Sequence, residues 1–296
     1  MKIELMNKMI LAKPVVNILK EHICNRLSSI SFKPKLTVIF CGDDEASSVY
    51  VGKKEIACSK LGIESCTLKP QANQSEILNL IDQLNSDPAI NGILVQLPLP
   101  SGVDADLVLD RISPLKDVDG FHPANSGLLN QGRPRFIPCT PLGISFLLQA
   151  YGIKTSGKRA VVLGRSNIVG KPLFSLLSSK ADYGNASVTL CHSYSRDLKE
   201  ICKEADILFA AIGKPALVTE EFVKEGSFVI DVGIHRLEEG KIIGDVCFER
   251  VHPVVEGITP VPKGVGPMTI YCLMYNTVKA AYLQNNLDFE ELYFKN

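Results

Sequence analysis

The sequence predicts an α/β fold made of two lobes. Three observations predict it. Short β-rich runs alternate with amphipathic helical runs in the first 100 residues, the order of a mainly parallel sheet covered by helices. A stretch at 112–139, rich in Pro, Gly and Asp, breaks that alternation and reads as a long connection. A second alternating series then starts near residue 159. The division read from this pattern is 1–139 for the first lobe, with 268–296 packing back on it, and 140–267 for the second.

The elements follow in order. From Pro14 to Ile23, Val15, Ile18, Leu19 and Ile23 share one helical face, and Pro14 suits a first turn. Leu36–Phe40 reads as a buried strand. Ala46–Leu61 reads as a helix stopped by Gly62. Ile77, Leu80, Ile81 and Leu84 mark a further helix ended by Asp87-Pro88, and Ile90–Leu97 is the next strand, ended by Pro98. Thr140-Pro141 opens a helix running to about Tyr151. In the second series, Arg159–Leu163, Ser187–Cys191, Ile207–Ala211 and Phe228–Val232 read as strands. Gly170–Ser179 and Leu198–Ala205 read as helices, and Pro267–Leu283 is a long final helix with Pro267 as its first residue.

Composition narrows the function. The chain has 296 residues, enough for a sizeable core, with 46% apolar and 22% charged residues. Lys+Arg and Asp+Glu are both 32, so no global positive field draws nucleic acid or an acidic membrane surface. No apolar run reaches the roughly 18–20 residues of a membrane span. The segment Met1–Lys8 alternates charged and apolar residues, unlike a secretory or transit signal. Nine Cys without a C-x-x-C pair fit a reducing cytoplasm, with buried structural Cys as the expected account of all nine. His122, His192, His235 and His252 lack metal-ligand spacing and read as ordinary loop histidines, so no metal is expected.

The strongest local signal in the second half is Gly164-Arg165-Ser166-Asn-Ile-Val-Gly170-Lys-Pro172, which follows a strand and opens a helix. Glycines let backbone N–H groups approach a pyrophosphate, and the helix N-terminus adds partial positive charge. The lobe is therefore Rossmann-like. The next strand ends Cys191-His192-Ser193-Tyr194-Ser195-Arg196, with no carboxylate to hold the ribose hydroxyls of NAD. Hydroxyls and the guanidiniums of Arg165 and Arg196 suit a 2′-phosphate, so NADP is the expected cofactor. The competing reading makes both arginines solvated surface charges.

In the first half, Tyr50 and Lys54 are four apart and share a helical face. A desolvated Lys acts as a base, and a phenol beside it modulates the proton; the plain alternative is an exposed pair on a solvated helix. Gln96 ends a buried strand, at the carboxyl edge where α/β sites form. Asp117 and Asp119 lie in the long connection; a carboxylate there can take two hydrogen bonds from a pterin edge, or serve turn chemistry before Gly120. Residues 258–269 hold three Pro and two Gly, a stiff loop that can lie flat against a planar ligand.

Together these segments resemble the methylenetetrahydrofolate dehydrogenase/cyclohydrolase family. The resemblance is carried by S-x-x-Y-x-x-x-K at Ser47, Tyr50 and Lys54, VQLPLP at 95–100, KDVDGF at 116–121, PCTP at 138–141, GRSNIVGKP at 164–172, DVGI at 231–234 and TPVPKGVGPMT at 259–269. It implies oxidation of methylene-tetrahydrofolate with NADP to the methenyl cation, then hydrolysis to formyl-tetrahydrofolate, in one-carbon metabolism. It implies Lys54 as the residue essential to hydrolysis, Tyr50 tuning it and Gln96 hydrogen-bonding it. Tyr50, Lys54, Val95, Gln96, Leu97, Asp119, Pro262, Gly264, Val265 and Gly266 would contact the folate, Asp119 through the pterin. Gly164, Arg165, Ser166, Ser193 and Ile234 would contact NADP. A homodimer through the cofactor lobe is also implied.

One departure stands out. The family's loop reads PGGVGP, and here Lys263 replaces the first Gly. If the position needs positive φ, Lys carries strain of about 1 kcal/mol. Two other readings compete: a shikimate-dehydrogenase-like NADP enzyme with a Lys in its first lobe, and a dinucleotide-binding sensor without catalysis.

Overall fold

The computed structural model describes residues 3–42, 44–238 and 240–294, with Glu45 and Ala46 described by backbone alone. Met1 and Lys2 of the N-terminal segment lie outside the described residues. The chain forms two compact units, one of residues 18–127 and 270–292, the other of 1–17, 128–269 and 293–296. Helices α1 (Ala12–Ser28) and α10 (Val265–Gln284) contribute residues to both.

The unit of residues 18–127 and 270–292 carries a parallel three-stranded sheet in the order β2-β1-β3, with β1 Lys35–Ile39, β2 Glu64–Leu68 and β3 Gly92–Val95. All four residues of β3 are buried, which explains its continuous apolar reading. Between the strands run α2 (Glu45–Leu61) and α3 (Gln74–Ser86), followed by α4 (Ala105–Arg111) and α5 (Pro123–Asn130). Asp44 caps α2 by accepting from Ser47 N at 2.7 Å, and Gly62 ends it in the left-handed conformation. Helix α3 buries Ile77, Ile81 and Leu84 against Ile39, Ile93 and Val95, each burial contributing about 1.5–3 kcal/mol. The final helix belongs here in its C-terminal part: Asn276 Nδ2 donates to Val118 O at 2.8 Å, and Tyr282 hydroxyl to Arg26 O at 2.6 Å.

The other unit holds a parallel five-stranded sheet, order β10-β7-β6-β4-β5. Its strands are β4 Arg159–Leu163, β5 Ser187–Cys191, β6 Ile207–Ala210, β7 Phe228–Asp231 and β10 Gly257–Ile258. A small antiparallel hairpin, β8 (His235–Arg236) and β9 (Ile242–Ile243), follows β7. The helices are α6 (Cys139–Ala150), α7 (Gly170–Ser178), α8 (Leu198–Lys203) and α9 (Phe248–Val251). Ten of the twelve residues of α6 are buried, so its periodicity is weak because nearly every face is core.

The alternating α/β reading holds. Several details differ, and the short elements α4, α9, β8, β9 and β10 were not read. The connection 112–139 contains α5, whose Gly127 and paired Asn hide its helical character; Asn125, fully buried, anchors it to Asp117 and to Pro114 O. Strand β2 was not read, because its first three residues are exposed and it sits at the sheet edge. The final helix starts at Val265, which makes Pro267 its third residue. Cys24 and Cys66 are exposed and Cys247 is half-buried, so burial does not account for all nine thiols, although all nine are free.

Candidate active site

Lys54 and Gln96 meet. Lys54 lies on α2 and Gln96 directly follows β3, and Lys54 Nζ donates to Gln96 Oε1 at 2.9 Å. The amide is held from both sides: Gln96 Nε2 donates to Leu97 O at 2.7 Å, and Gln96 N donates to Ile39 O at 2.9 Å, extending the β1–β3 ladder. An amide whose NH₂ is committed to a carbonyl can present only oxygen to the ammonium, so the pair has one orientation. Tyr50, one helical turn before Lys54, is half-buried; burial raises its phenol pKa, so it stays a protonated donor. The neighbouring Lys53 ammonium stands 5.4 Å from the Tyr50 ring centroid. Val95 is buried and Leu97 half-buried beside Gln96.

The KDVDGF segment divides into framework and face. Lys116 is buried, with Nζ donating to Leu84 O at 2.8 Å and Asp87 O at 2.6 Å; desolvation lowers its pKa. Asp117 is buried and accepts from Gly120 N, Phe121 N and His122 N and from Asn125 Nδ2 at 2.8–3.2 Å. Burial raises its pKa despite those bonds. The turn reading is therefore right for Asp117. Asp119, the other carboxylate of the segment, is half-buried.

In the other unit, the phosphate loop follows β4, Ser193 follows β5, DVGI lies at the end of β7 and TPVPKGVGPMT follows β10. A Cβ on Gly164 would stand 2.0 Å from Ala211 O, and one on Gly170 would stand 2.0 Å from Gly164 O. Only bare backbone fits at these two positions, so the loop packs closely against the turn after β6 and the start of α7. Ser166 Oγ accepts from Val169 N and Gly170 N at 3.2 and 3.3 Å, ordering the start of α7. Arg165 is exposed, its guanidinium carbon 5.9 Å from the centroid of Tyr194, which with Ser193 follows β5. A bare phosphate loop, a free hydroxyl and an exposed guanidinium without a carboxylate at the end of β5 fit an NADP 2′-phosphate.

Ile234, 44% exposed after β7, lies 3.4 Å from where a Cβ on Gly266 would be, so the DVGI and TPVPKGVGPMT segments meet at that point. Lys263 has φ +94°, the positive value anticipated for the glycine it replaces. Its carbonyl accepts from Ala12 N at 2.9 Å, and Gly264 N donates to Pro260 O at 2.7 Å. A cavity of about 410 Å³ lined by Tyr151, Lys158, Asp206 and Lys224 lies instead at the amino ends of β4, β6 and β7, away from every motif.

Sequence reasoning missed a buried group behind Ile234. Asp231, Asp245 and His235 form one hydrogen-bonded cluster, with His235 Nε2 2.7 Å from Asp245 Oδ1. His235 is thus not an ordinary loop histidine. Its partner is ten residues away across a hairpin, and no local pattern marks the pair.

The comparisons agree with this geometry. Residues 7–119 match the family model of the tetrahydrofolate dehydrogenase/cyclohydrolase catalytic domain, and residues 138–285 match that of its NAD(P)-binding domain. The bifunctional protein FolD of Campylobacter curvus is 54% identical over 257 residues, covering 86% of this chain and 88% of that one. The crystal structure of the Campylobacter jejuni bifunctional enzyme FolD superposes with a TM-score of 0.88 at 46% identity, over 94% of this chain and 99% of that one. The Trypanosoma brucei dehydrogenase-cyclohydrolase, solved with NADP cofactor and inhibitor, gives 0.84 at 34% identity, over 95% and 98%. This chain, with its Lys54–Gln96 pair and bare phosphate loop, belongs to the tetrahydrofolate dehydrogenase/cyclohydrolase family.

Proposed function

We propose that this protein oxidises methylene-tetrahydrofolate to methenyl-tetrahydrofolate with NADP and then hydrolyses the methenyl cation to formyl-tetrahydrofolate. The observation that carries this reading is the Lys54–Gln96 hydrogen bond at the carboxyl end of β3, within a chain matched by both family models.

NADP, when bound, supplies the hydride acceptor. The oxidation asks little acid–base help of the protein, because folate nitrogen lone pairs stabilise the cation that forms; the task is positioning. Hydrolysis asks more. Water adds to the methenyl carbon and loses a proton, one carbon–nitrogen bond breaks, and a proton reaches the departing nitrogen. Lys54 serves as the proton carrier for these events. Gln96 fixes its amine from one side, and Tyr50 adds a phenolic donor one turn away.

In the same reading Asp119 holds the pterin ring, with Tyr50, Lys54, Val95, Gln96 and Leu97 as further folate contacts. Pro262, Gly264, Val265 and Gly266 are folate contacts of the TPVPKGVGPMT segment. Gly164, Arg165, Ser166, Ser193 and Ile234 contact NADP. The proximity of Ile234 and Gly266 supports this, since hydride transfer requires the two ligands to approach each other. In this reading the catalytic domain is 1–139 with 268–296 and the cofactor domain 140–267, a division drawn from the motifs; by compactness, residues 3–17 and 128–139 group with the cofactor sheet. The protein works as a homodimer through the cofactor domain, a role that suits exposed Leu217, Leu237 and Ile242. It resides in the cytoplasm, where exposed Cys24 and Cys66 stay reduced. No helix among the described residues is long and apolar enough to cross a membrane.

The test is spectroscopic. Purified protein given methylene-tetrahydrofolate and NADP should produce methenyl absorbance and then lose it to hydrolysis. Binding of both ligands without turnover would favour the sensor reading and overturn this one.

A further inference from the structure

The buried cluster behind Ile234 has no place in the chemistry above, yet it joins the loops that carry the cofactor residues. Asp231 ends β7, and its carboxylate accepts from Gly233 N at 3.1 Å, Asp245 N at 2.9 Å and Val246 N at 3.1 Å. The two ends of the β8–β9 hairpin are thereby tied to one side chain. Asp245, fully buried, reaches the opposite way. Its Oδ2 accepts from Ile212 N at 2.7 Å and Gly213 N at 3.0 Å, in the loop after β6. Its Oδ1 meets His235 Nε2 at 2.7 Å, one residue beyond Ile234.

The packing leaves no slack. A Cβ on Gly233 would stand 2.4 Å from Asp245 Oδ1, and one on Gly244 would stand 1.8 Å from Asp231 Oδ2. The loop after β6 also presses on the phosphate loop, since Ala211 O occupies the space a Gly164 Cβ would need. Two carboxylates buried side by side are a costly way to fill volume, and an apolar pair would fill it more cheaply. What they supply is direction: Asp245 makes the 212–213 amides and the residue-234 backbone a single body.

We propose that Asp245, acting through His235 and the Ile212 and Gly213 amides, is a positioning residue for the dinucleotide. It holds Ile234 and the loop after β6 in register with the phosphate loop, so that the cofactor meets a preformed surface. This rests on the NADP reading given above.

The experiment uses the full chain and the variants D245A, D245N and H235A. NADPH dissociation is measured by its fluorescence, and hydrolysis of methenyl-tetrahydrofolate is measured without any dinucleotide. D245A leaves two amides unpaired and should weaken NADPH binding about tenfold or more. Hydrolysis, which needs no dinucleotide, should stay within about twofold. D245N keeps an oxygen for both amides and should recover most of the affinity; H235A should fall between. Should D245A not fold, H235A, altered at a partly exposed position, carries the same comparison. Unchanged NADPH affinity in D245A or H235A overturns the assignment, and so does a parallel loss of binding and hydrolysis. The two readings fail separately: the function falls if the wild type does not convert the folates, whereas the positioning role is judged on NADPH dissociation.

Discussion

Lys54 and Gln96 stand 42 residues apart in sequence and are joined by a 2.9 Å hydrogen bond from ammonium to amide oxygen. Because Gln96 Nε2 is already donated to Leu97 O, the amide cannot turn to follow the lysine. The lysine is positioned by the strand end.

From this pair comes the first expectation. Lys54→Ala should abolish hydrolysis of methenyl-tetrahydrofolate while leaving part of the hydride transfer, since oxidation depends mainly on positioning. Gln96→Ala should lower hydrolysis by about 10²-fold, the scale of a mispositioned proton carrier. Separate initial rates for the two steps check both; equal retention of the two activities in Lys54→Ala contradicts the assigned role.

Cofactor choice gives the second. Arg165 is exposed in the phosphate loop and no carboxylate stands at the end of β5. Arg165→Ala should raise the KM for NADP about tenfold, the loss of one charge-assisted contact, and leave the KM for NAD nearly unchanged. Parallel shifts for both dinucleotides would place Arg165 away from the 2′-phosphate.

The third concerns backbone strain. Lys263 occupies φ +94°, where a side chain costs energy and glycine does not. Lys263→Gly should stabilise the folded chain by about 1 kcal/mol, read as an upward shift of the urea midpoint without a change in m. A lower midpoint would mean that the Lys263 side chain makes compensating contacts.

The fourth is a pH dependence. Burial raises the Asp231 carboxyl from 3.8 to about 7. Between those values the folded chain holds a proton that the unfolded chain has released. Stability therefore falls as pH rises from about 4 to about 7, on the order of 1 kcal/mol per unit for this group. Asp231→Asn does not titrate and should remove that part of the slope. Urea unfolding at several pH values within the window checks it; an unchanged slope would assign the effect to other buried carboxyls such as Asp117, also raised by burial.

Much of the architecture was legible because it is local. The α2 helix that bears Tyr50 and Lys54, the strand that ends at Gln96 and the strand–glycine–helix passage at 159–178 each advertise themselves through periodicity, caps and glycine placement within about a dozen residues. Strand β2, with its exposed edge, and α5, rich in Asn and Gly, carried too little periodicity to be read. For KDVDGF the sequence left turn chemistry open to both acids; the folded structure shows that Asp117 is spent on three backbone amides and Asn125.

What folding alone could decide is which distant groups share a hydrogen bond. Lys54 reaches Gln96 only when β3 pairs with β1, because that pairing holds the Gln96 backbone. His235 reaches Asp245 only when a hairpin reverses the chain, and Asp245 reaches the amides of residues 212 and 213 only when β6 and β7 lie side by side. Periodicity reports the face a residue turns to the core, whereas a hydrogen bond depends on angstrom-scale distances that are set once the sheet is assembled.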